Sequence, residues 1–275
     1  GDPLTLPVKI NQIIGILLSS ATIFAIFGYQ DIAGVYLFDS ASAYRTAGGM
    51  GVWLSAGFMV GFGHRFASAP TTDHFNTGVP RFAFGSIVSV AIALVSAAFT
   101  GNIREYFDFL NGDTFWEADF NEEYASYITL AFAVGLIIFY LVRNSKGKLG
   151  QIEIAVNIGI GLLFGIGCMV GGLTRRTRVI EFLYFSDNWN PSLLFFFLGA
   201  ALTNFIAIRF IIEGTKATDN QSKISIPLII GSILFGLGWA LGGIDGASGI
   251  VCSYLYFPNV LILFVPAGVA GVYAG

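Results

Sequence analysis

The sequence predicts an all-α polytopic membrane protein of about eight spanning helices with short re-entrant helices between some of them. Three observations carry that expectation. Only 11% of the 275 residues are Asp, Glu, Lys or Arg while 55% are hydrophobic, against about 25% charged in an ordinary soluble domain. Mean hydropathy is +0.74, so bilayer rather than water is the natural solvent. Apolar runs of spanning length recur along the chain, and its 35 glycines suit helices that approach closely where lipid gives no hydrophobic drive between them.

A spanning helix needs about 20 mostly apolar residues. In chain order the candidates centre on Ile10 to Phe27, Gly48 to Gly63, Phe82 to Phe99, Tyr127 to Val142, Ile154 to Leu173, Ser192 to Ile212, Ile226 to Ile244 and Val260 to Tyr273. Between them, Ile32 to Asp39, Thr71 to Val79, Val179 to Phe185 and Ala247 to Tyr256 are too apolar for ordinary loops and too short or polar to span. These read as re-entrant segments, which survive at membrane depth only where protein or a water-lined cavity satisfies their backbone. The whole of 1–275 is one transmembrane domain. No signal-peptide pattern precedes the first run, and the opening Gly1-Asp2-Pro3 has no initiator methionine, so either a leading segment is removed or the first residues are not represented.

Charge sets the orientation. Residues 102–125 form an acidic, aromatic extramembrane loop with Glu105, Asp108, Asp113, Glu117, Asp119, Glu122 and Glu123, whereas Arg143, Lys146 and Lys148 crowd one short loop. The positive-inside rule puts the second loop in the cytoplasm, or in the matrix of an organelle. The membrane is then a bacterial plasma membrane or a mitochondrial inner membrane. Arg175, Arg176 and Arg178 fall on the opposite side in this count unless their loop dips back; solvated charge is their default reading, lipid phosphate or a partner the alternative. Phe107, Phe109, Phe115, Trp116 and Phe120 interleave the acids of the 102–125 loop, which fits a docking surface for partner subunits.

An internal repeat organises the chain. Gly57, Gly61, Gly63, Ala67 and Ser68 recur as Gly161, Gly165, Gly167, Gly171 and Gly172, and again as Ser232, Gly236, Gly238, Gly242 and Gly243. The copies lie near 48–101, 152–212 and 226–275, and Pro80, Pro191 and Pro258 mark the helix restarts, proline being tolerated in a first turn. Each unit is a glycine-faced helix, a break, a short dipping segment and a return helix.

These residues resemble the YeeE/YedE sulfur-transport family, whose members include thiosulfate permeases. The run Gly61-Phe62-Gly63-His64-Arg65 through Asp73-His74, continuing to Gly78 and Arg81, is similar to that family's first glycine-rich segment. Gly165-Ile166-Gly167, Gly171-Gly172-Leu173-Thr174, Arg178-Val179, Phe182-Leu183 and Trp189-Asn190-Pro191-Ser192-Leu193 resemble its second. Phe235-Gly236-Leu237-Gly238-Trp239 through Gly243 resembles its third. The resemblance implies a permease for small sulfur-containing anions, passed along by cysteines that follow the glycines. Here Pro70 and Thr77 stand at the first repeat's cysteine positions and Asp245 at the third's, so those thiols are missing. The two cysteines present, Cys168 and Cys252, are read as buried packing residues. A carboxylate at Asp245 repels an anion at close range unless protonated or paired.

Ionisable groups at membrane depth are expensive enough to be functional candidates. On that argument His64, Arg65, His74, Arg81 and Asp245 form the short list, with Asp73 nearby; the substrate-path set is Arg65, Pro70, His74, Thr77, Arg81 and Asp245, with Gly61, Gly63, Gly165, Gly167, Gly236 and Gly238 as framework. Arg65 and Arg81 would attract an anion and His74 would donate or relay a proton. The structural alternatives are interfacial or Asp73-paired arginines, a hydrogen-bonded His74, and Asp245 as the cap of a broken helix. There is no GxSxG, HExxH or P-loop pattern, no metal-ligand spacing and no basic footprint for nucleic acid, so neither an enzyme nor a cofactor is expected. Two readings result: a permease for a small anion, or a transport-incompetent relative kept as an accessory subunit of a larger membrane complex, mitochondrial if the membrane is that of the organelle. Membrane lipid surrounds the chain in either.

Overall fold

The computed structural model describes residues 5–27, 37–39, 49–67, 74–104, 150–187, 189–211, 223–253 and 259–275. The expected span Tyr127 to Val142, the loop at Arg143 to Lys148, nearly all of the 102–125 loop, Pro70, Asp73 and Pro258 lie outside them. Among the described residues all regular structure is helical, and the expected spans there are helices. The long ones are α1 (Thr5–Phe27), α2 (Met50–Phe66), α3 (Phe84–Ile103), α4 (Gln151–Val170), α6 (Ser192–Ile206) and α7 (Ile226–Gly242). Two short helices, α5 (Arg176–Leu183) and α8 (Gly246–Cys252), fall in the breaks after α4 and α7, and α9 (Val265–Ala274) continues a π turn at Asn259–Phe264. The break after α2 carries a π turn, His74–Gly78, and a 3-10 turn, Val79–Arg81. Five helical stretches among the described residues are long and apolar enough to cross a membrane, and Asn259–Ala274 is a shorter apolar one. The chain is an all-α integral membrane protein.

Glycine decides which helices touch. A Cβ on Gly61 would strike the carbonyl of Gly268 in α9, and one on Gly236 the carbonyl of Ala93 in α3. On Gly63 it would lie 2.6 Å from Gly231 O and from Phe235 N in α7, and on Gly238 it would lie 2.7 Å from Ala56 O in α2. These pairings run α2 antiparallel to α7, α2 parallel to α9 and α3 parallel to α7. They also come in matched pairs. One constant sequence spacing separates Gly57 from Ser232, Gly61 from Gly236, Gly63 from Gly238, Ser89 from Phe264 and Ala93 from Gly268. Gly57 abuts Phe264 as Ser232 meets Ser89, and Gly61 abuts Gly268 as Gly236 abuts Ala93. The first and third repeats are therefore related by a pseudo-two-fold axis crossing the α2–α7 contact, an inverted-topology pair. The second repeat uses its glycines differently: Gly161 and Gly165 of α4 receive Gln12, Ile16 and Ser19 of the parallel helix α1.

The core gathers at the α2–α3–α7–α9 crossing, with Trp53, Ala56, Val60, Ala93, Ala97, Phe235 and Phe264 buried. Trp53 meets Phe264 edge-on, centroids 6.4 Å apart. Outward faces stay apolar, as at Phe195, Leu198, Leu202 and Phe210, which suits helices solvated by lipid rather than water.

A cavity where the three repeats meet

The break after α7 positions the site. Gly243 takes a left-handed φ of 67° at the helix end, a conformation cheap only for glycine. Two residues later Asp245 caps α8: its Oδ1 accepts from Ser248 N at 2.7 Å and Ser248 Oγ at 2.6 Å, while its own N–H donates to Ser248 Oγ at 2.9 Å. A carboxylate suits this place because a helix N-terminus presents unpaired N–H groups. The freed carbonyls at the end of α7 are met by two buried guanidiniums. Arg104 Nη1 donates to Ala240 O and Leu241 O at 3.3 and 3.2 Å, and Arg176 Nε donates to Gly242 O at 3.0 Å. The Arg176 guanidinium also lies 5.7 Å from the Trp53 ring centroid, within cation–π range.

The Arg175–Arg178 group is thus not solvated charge. Its loop folds into the protein: Arg176 is buried, Arg175 Nε pairs with Asp39 at 3.2 Å, and Arg178 Nη1 donates to Ser192 Oγ at 3.2 Å. Asp39 also accepts from the Thr177 N–H at 2.8 Å and from its hydroxyl at 2.6 Å, so a distant carboxylate caps α5, whose own N-cap residue Arg175 provides no cap bond. Partners inside the fold, a carboxylate for Arg175, a carbonyl for Arg176 and a hydroxyl for Arg178, fit the alternative in which this loop dips back.

Beside the capped break lies a cavity of about 650 Å³ between α3, α4, α6, α7 and the π turn. Its wall is mainly aromatic and aliphatic, including Phe75, Phe164, Phe182, Phe197 and Phe235, with Asn76, Cys168, Thr203, Asn204, Trp239 and Asp245 as its polar or polarisable members. Aromatic contacts link the elements around it: His64 stacks on Phe235 (4.7 Å between centroids), Phe235 on Trp239 (6.1 Å), and Phe197 meets both Trp239 (6.1 Å) and Phe75 (5.1 Å) edge-on.

Among the substrate-path candidates, Asp245 is on the cavity wall. His74 is buried, with Nδ1 2.8 Å from Ser86 Oγ. Arg81 Nη1 donates to Thr77 O at 3.1 Å, closing its own turn. Arg65 is exposed in the last turn of α2, alongside Gly275. None of these four residues lines the cavity. Gly61, Gly63, Gly165, Gly236 and Gly238 sit at close helix contacts, whereas Gly167 has nothing within 4 Å of its would-be Cβ and lies on the cavity wall.

Cys168 and Trp239, outside that set, line the cavity, and the candidate His64 stacks on the wall residue Phe235. His64, Cys168 and Trp239 each follow the last glycine of the G-x-G in their repeat, after Gly63, Gly167 and Gly238. All three come to Asp245. Cys168 and Trp239 share its cavity, and His64 and Cys168 both lie within coulombic range of its carboxylate. His64 Nε2 is buried without a hydrogen-bond partner among the described residues. The signal that finds these residues is the repeat itself, read one column beyond its glycines. Both cysteines are buried in the core, as the sequence leads one to expect; Cys252 Sγ donates to Thr174 O at 3.5 Å.

The family comparison bears on the C-terminal half. Residues 151–274 match a family of unknown function, DUF6691. Proteins named "Probable transporter" from two strains of Xylella fastidiosa are each 32% identical over 134 residues, covering 44% of this chain and 86% and 88% of the relatives. No solved structure matches the chain. With its inverted glycine-framed repeats and that degree of identity over most of the relatives' length, the chain belongs to the family of these probable transporters.

Proposed function

We propose that the chain is a permease for a small sulfur-containing anion of the thiosulfate type, which passes by the break between α7 and α8. The observation that carries this reading is the cavity beside the α7–α8 break, lined by Phe75 and Asn76 of the first repeat, Cys168 of the second, and Trp239 and Asp245 of the third. Transporters place their substrate where broken helices of inverted repeats meet, because irregular backbone there can line a path. Cys168 offers a polarisable thiol, Trp239 an aromatic face and His64 an uncommitted imidazole nitrogen. The Asp245 carboxylate is engaged in the cap of α8, which spreads its charge over the helix N-terminus. The experiment is uptake of radiolabelled thiosulfate and sulfate into proteoliposomes, with Cys168→Ala and His64→Ala alongside. Saturable thiosulfate uptake reduced by both substitutions supports the reading; uptake unaffected by either refutes this site.

The predominance of phenylalanine on the cavity wall, and the absence of Arg65, His74 and Arg81 from it, favour the second reading, an accessory subunit of a membrane assembly docked through the 102–125 loop. No uptake by the native chain, together with stable co-purification of other subunits from its own membrane, would select that reading. Localisation to a bacterial plasma membrane or a mitochondrial inner membrane follows from the source of that membrane.

A further inference from the structure

The relatives are so short that 134 aligned residues make up 86% of one of them, and the family match here begins at residue 151, where α4 starts. In this chain the helices of that C-terminal half complete their packing on the other half. Gly161 and Gly165 of α4 are filled by α1, Gly236 of α7 by α3, and Gly238 of α7 and Gly271 by α2. Each contact is backbone against backbone or against a short side chain, so lipid, which cannot enter such a groove, does not replace it. The central site is divided in the same way: His64 and the Phe75 wall come from the N-terminal half, Cys168, Trp239 and Asp245 from the C-terminal half.

We infer that this protein is a covalent pair of half-units, and that residues 1–112 do the work of a separate partner chain for residues 113–275, docking on its glycine faces without needing the peptide link. The inference does not depend on what the protein carries. It is tested by cutting the chain between Gly112 and Asp113, in the acidic loop, and co-expressing the two pieces. Both native cysteines lie in the C-terminal piece, so a link between pieces requires a new thiol. Ser89 Oγ and Ser232 Oγ are 2.7 Å apart across the α3–α7 contact; Ser89→Cys in one piece and Ser232→Cys in the other should give, on mild oxidation in membranes, a reducible band of full-chain size. The undivided chain carrying both substitutions controls for thiol geometry. The C-terminal piece expressed alone should be recovered as aggregate or degraded. A C-terminal piece that is monodisperse and melts like the full chain would overturn the inference. So would co-expressed pieces that do not cross-link while the undivided double variant does.

Discussion

Gly63, Gly167 and Gly238 occupy one column of the repeat, but two are jammed and one is open, so one substitution made three times tests the inverted-pair packing. In Gly63→Ala the new methyl meets Gly231 O and Phe235 N at 2.6 Å, and in Gly238→Ala it meets Ala56 O at 2.7 Å and Val60 N at 2.9 Å. These are backbone atoms and cannot rotate aside. Since ordinary contact begins at 3.4 Å, α2 and α7 must part by roughly 0.7 Å, which disturbs packing along their whole crossing. Overpacking of this kind costs up to about 3 kcal/mol, and the helix-propensity gain of Ala over Gly returns up to about 1. The net loss is about 2 kcal/mol, or a melting temperature lower by about 4–8 °C for a chain of this size. Gly167→Ala meets nothing within 4 Å and should leave the melting temperature unchanged or raise it by a few degrees, about 1 kcal/mol at most. Gly63→Ala and Gly238→Ala act on the same interface, so the double variant should lose less than the sum of the singles. Thermal unfolding in one detergent, followed by loss of the monodisperse peak, reads all four. A fall in Gly167→Ala equal to the others, or none in Gly63→Ala and Gly238→Ala, would refute the assigned packing.

Three further outcomes follow from the hydrogen bonds. Asp245→Ala removes the cap of α8 and should cost about 1 kcal/mol, whereas Asp245→Asn keeps a capping side chain and should change stability by a few tenths; in uptake assays the Asn variant, having shed a like charge, should show a several-fold lower KM for the anion. Ser232 Oγ donates to Leu228 O at 2.7 Å, which leaves Ser89 as the donor in the 2.7 Å Ser89–Ser232 bond. Ser232→Ala therefore strands a buried donor and should cost about 1 kcal/mol, while Ser89→Ala leaves Ser232 bonded and should cost about half that; equal melting temperatures would refute the donor assignment. Arg176→Met removes the bond to Gly242 O and the Trp53 contact while leaving a carbonyl buried, and should lower stability by about 2–3 kcal/mol, measured in the same melts.

The spans and breaks were legible because lipid imposes a length and an apolar composition that survive in any single stretch of sequence. Gly243, Asp245 and Ser248 also show why the position of a break can be read: a left-handed glycine followed by an Asp cap is local chemistry. The partners of Arg104, Arg176 and Asp39 could not be read, because each is satisfied by an element far along the chain: Arg104 by the end of α7, Asp39 by the start of α5. A charge so buried looks, in sequence, like a charge in a loop. Arg65, His74 and Arg81 are close in sequence, but they sit on a helix end, a π turn and a 3-10 turn, and of the described ionisable candidates Asp245 lines the cavity.

The repeat explains why the residues of the centre differ so much. Gly61, Gly63, Gly236 and Gly238 are held to one residue type because a Cβ at any of them would enter a neighbouring backbone; symmetry of the framework is enforced by close approach. The next position carries no such constraint: His64 stacks on Phe235 of α7, while Cys168 and Trp239 line the cavity. There the three copies carry an imidazole, a thiol and an indole, at His64, Cys168 and Trp239. Divergence is not peculiar to this column, since the next one carries Arg65, Met169 and Ala240 and a contact column carries Ser232 where the other copies have Gly57 and Gly161; what singles out Cys168 and Trp239 is their place on the cavity wall, and His64 its stacking on the wall residue Phe235.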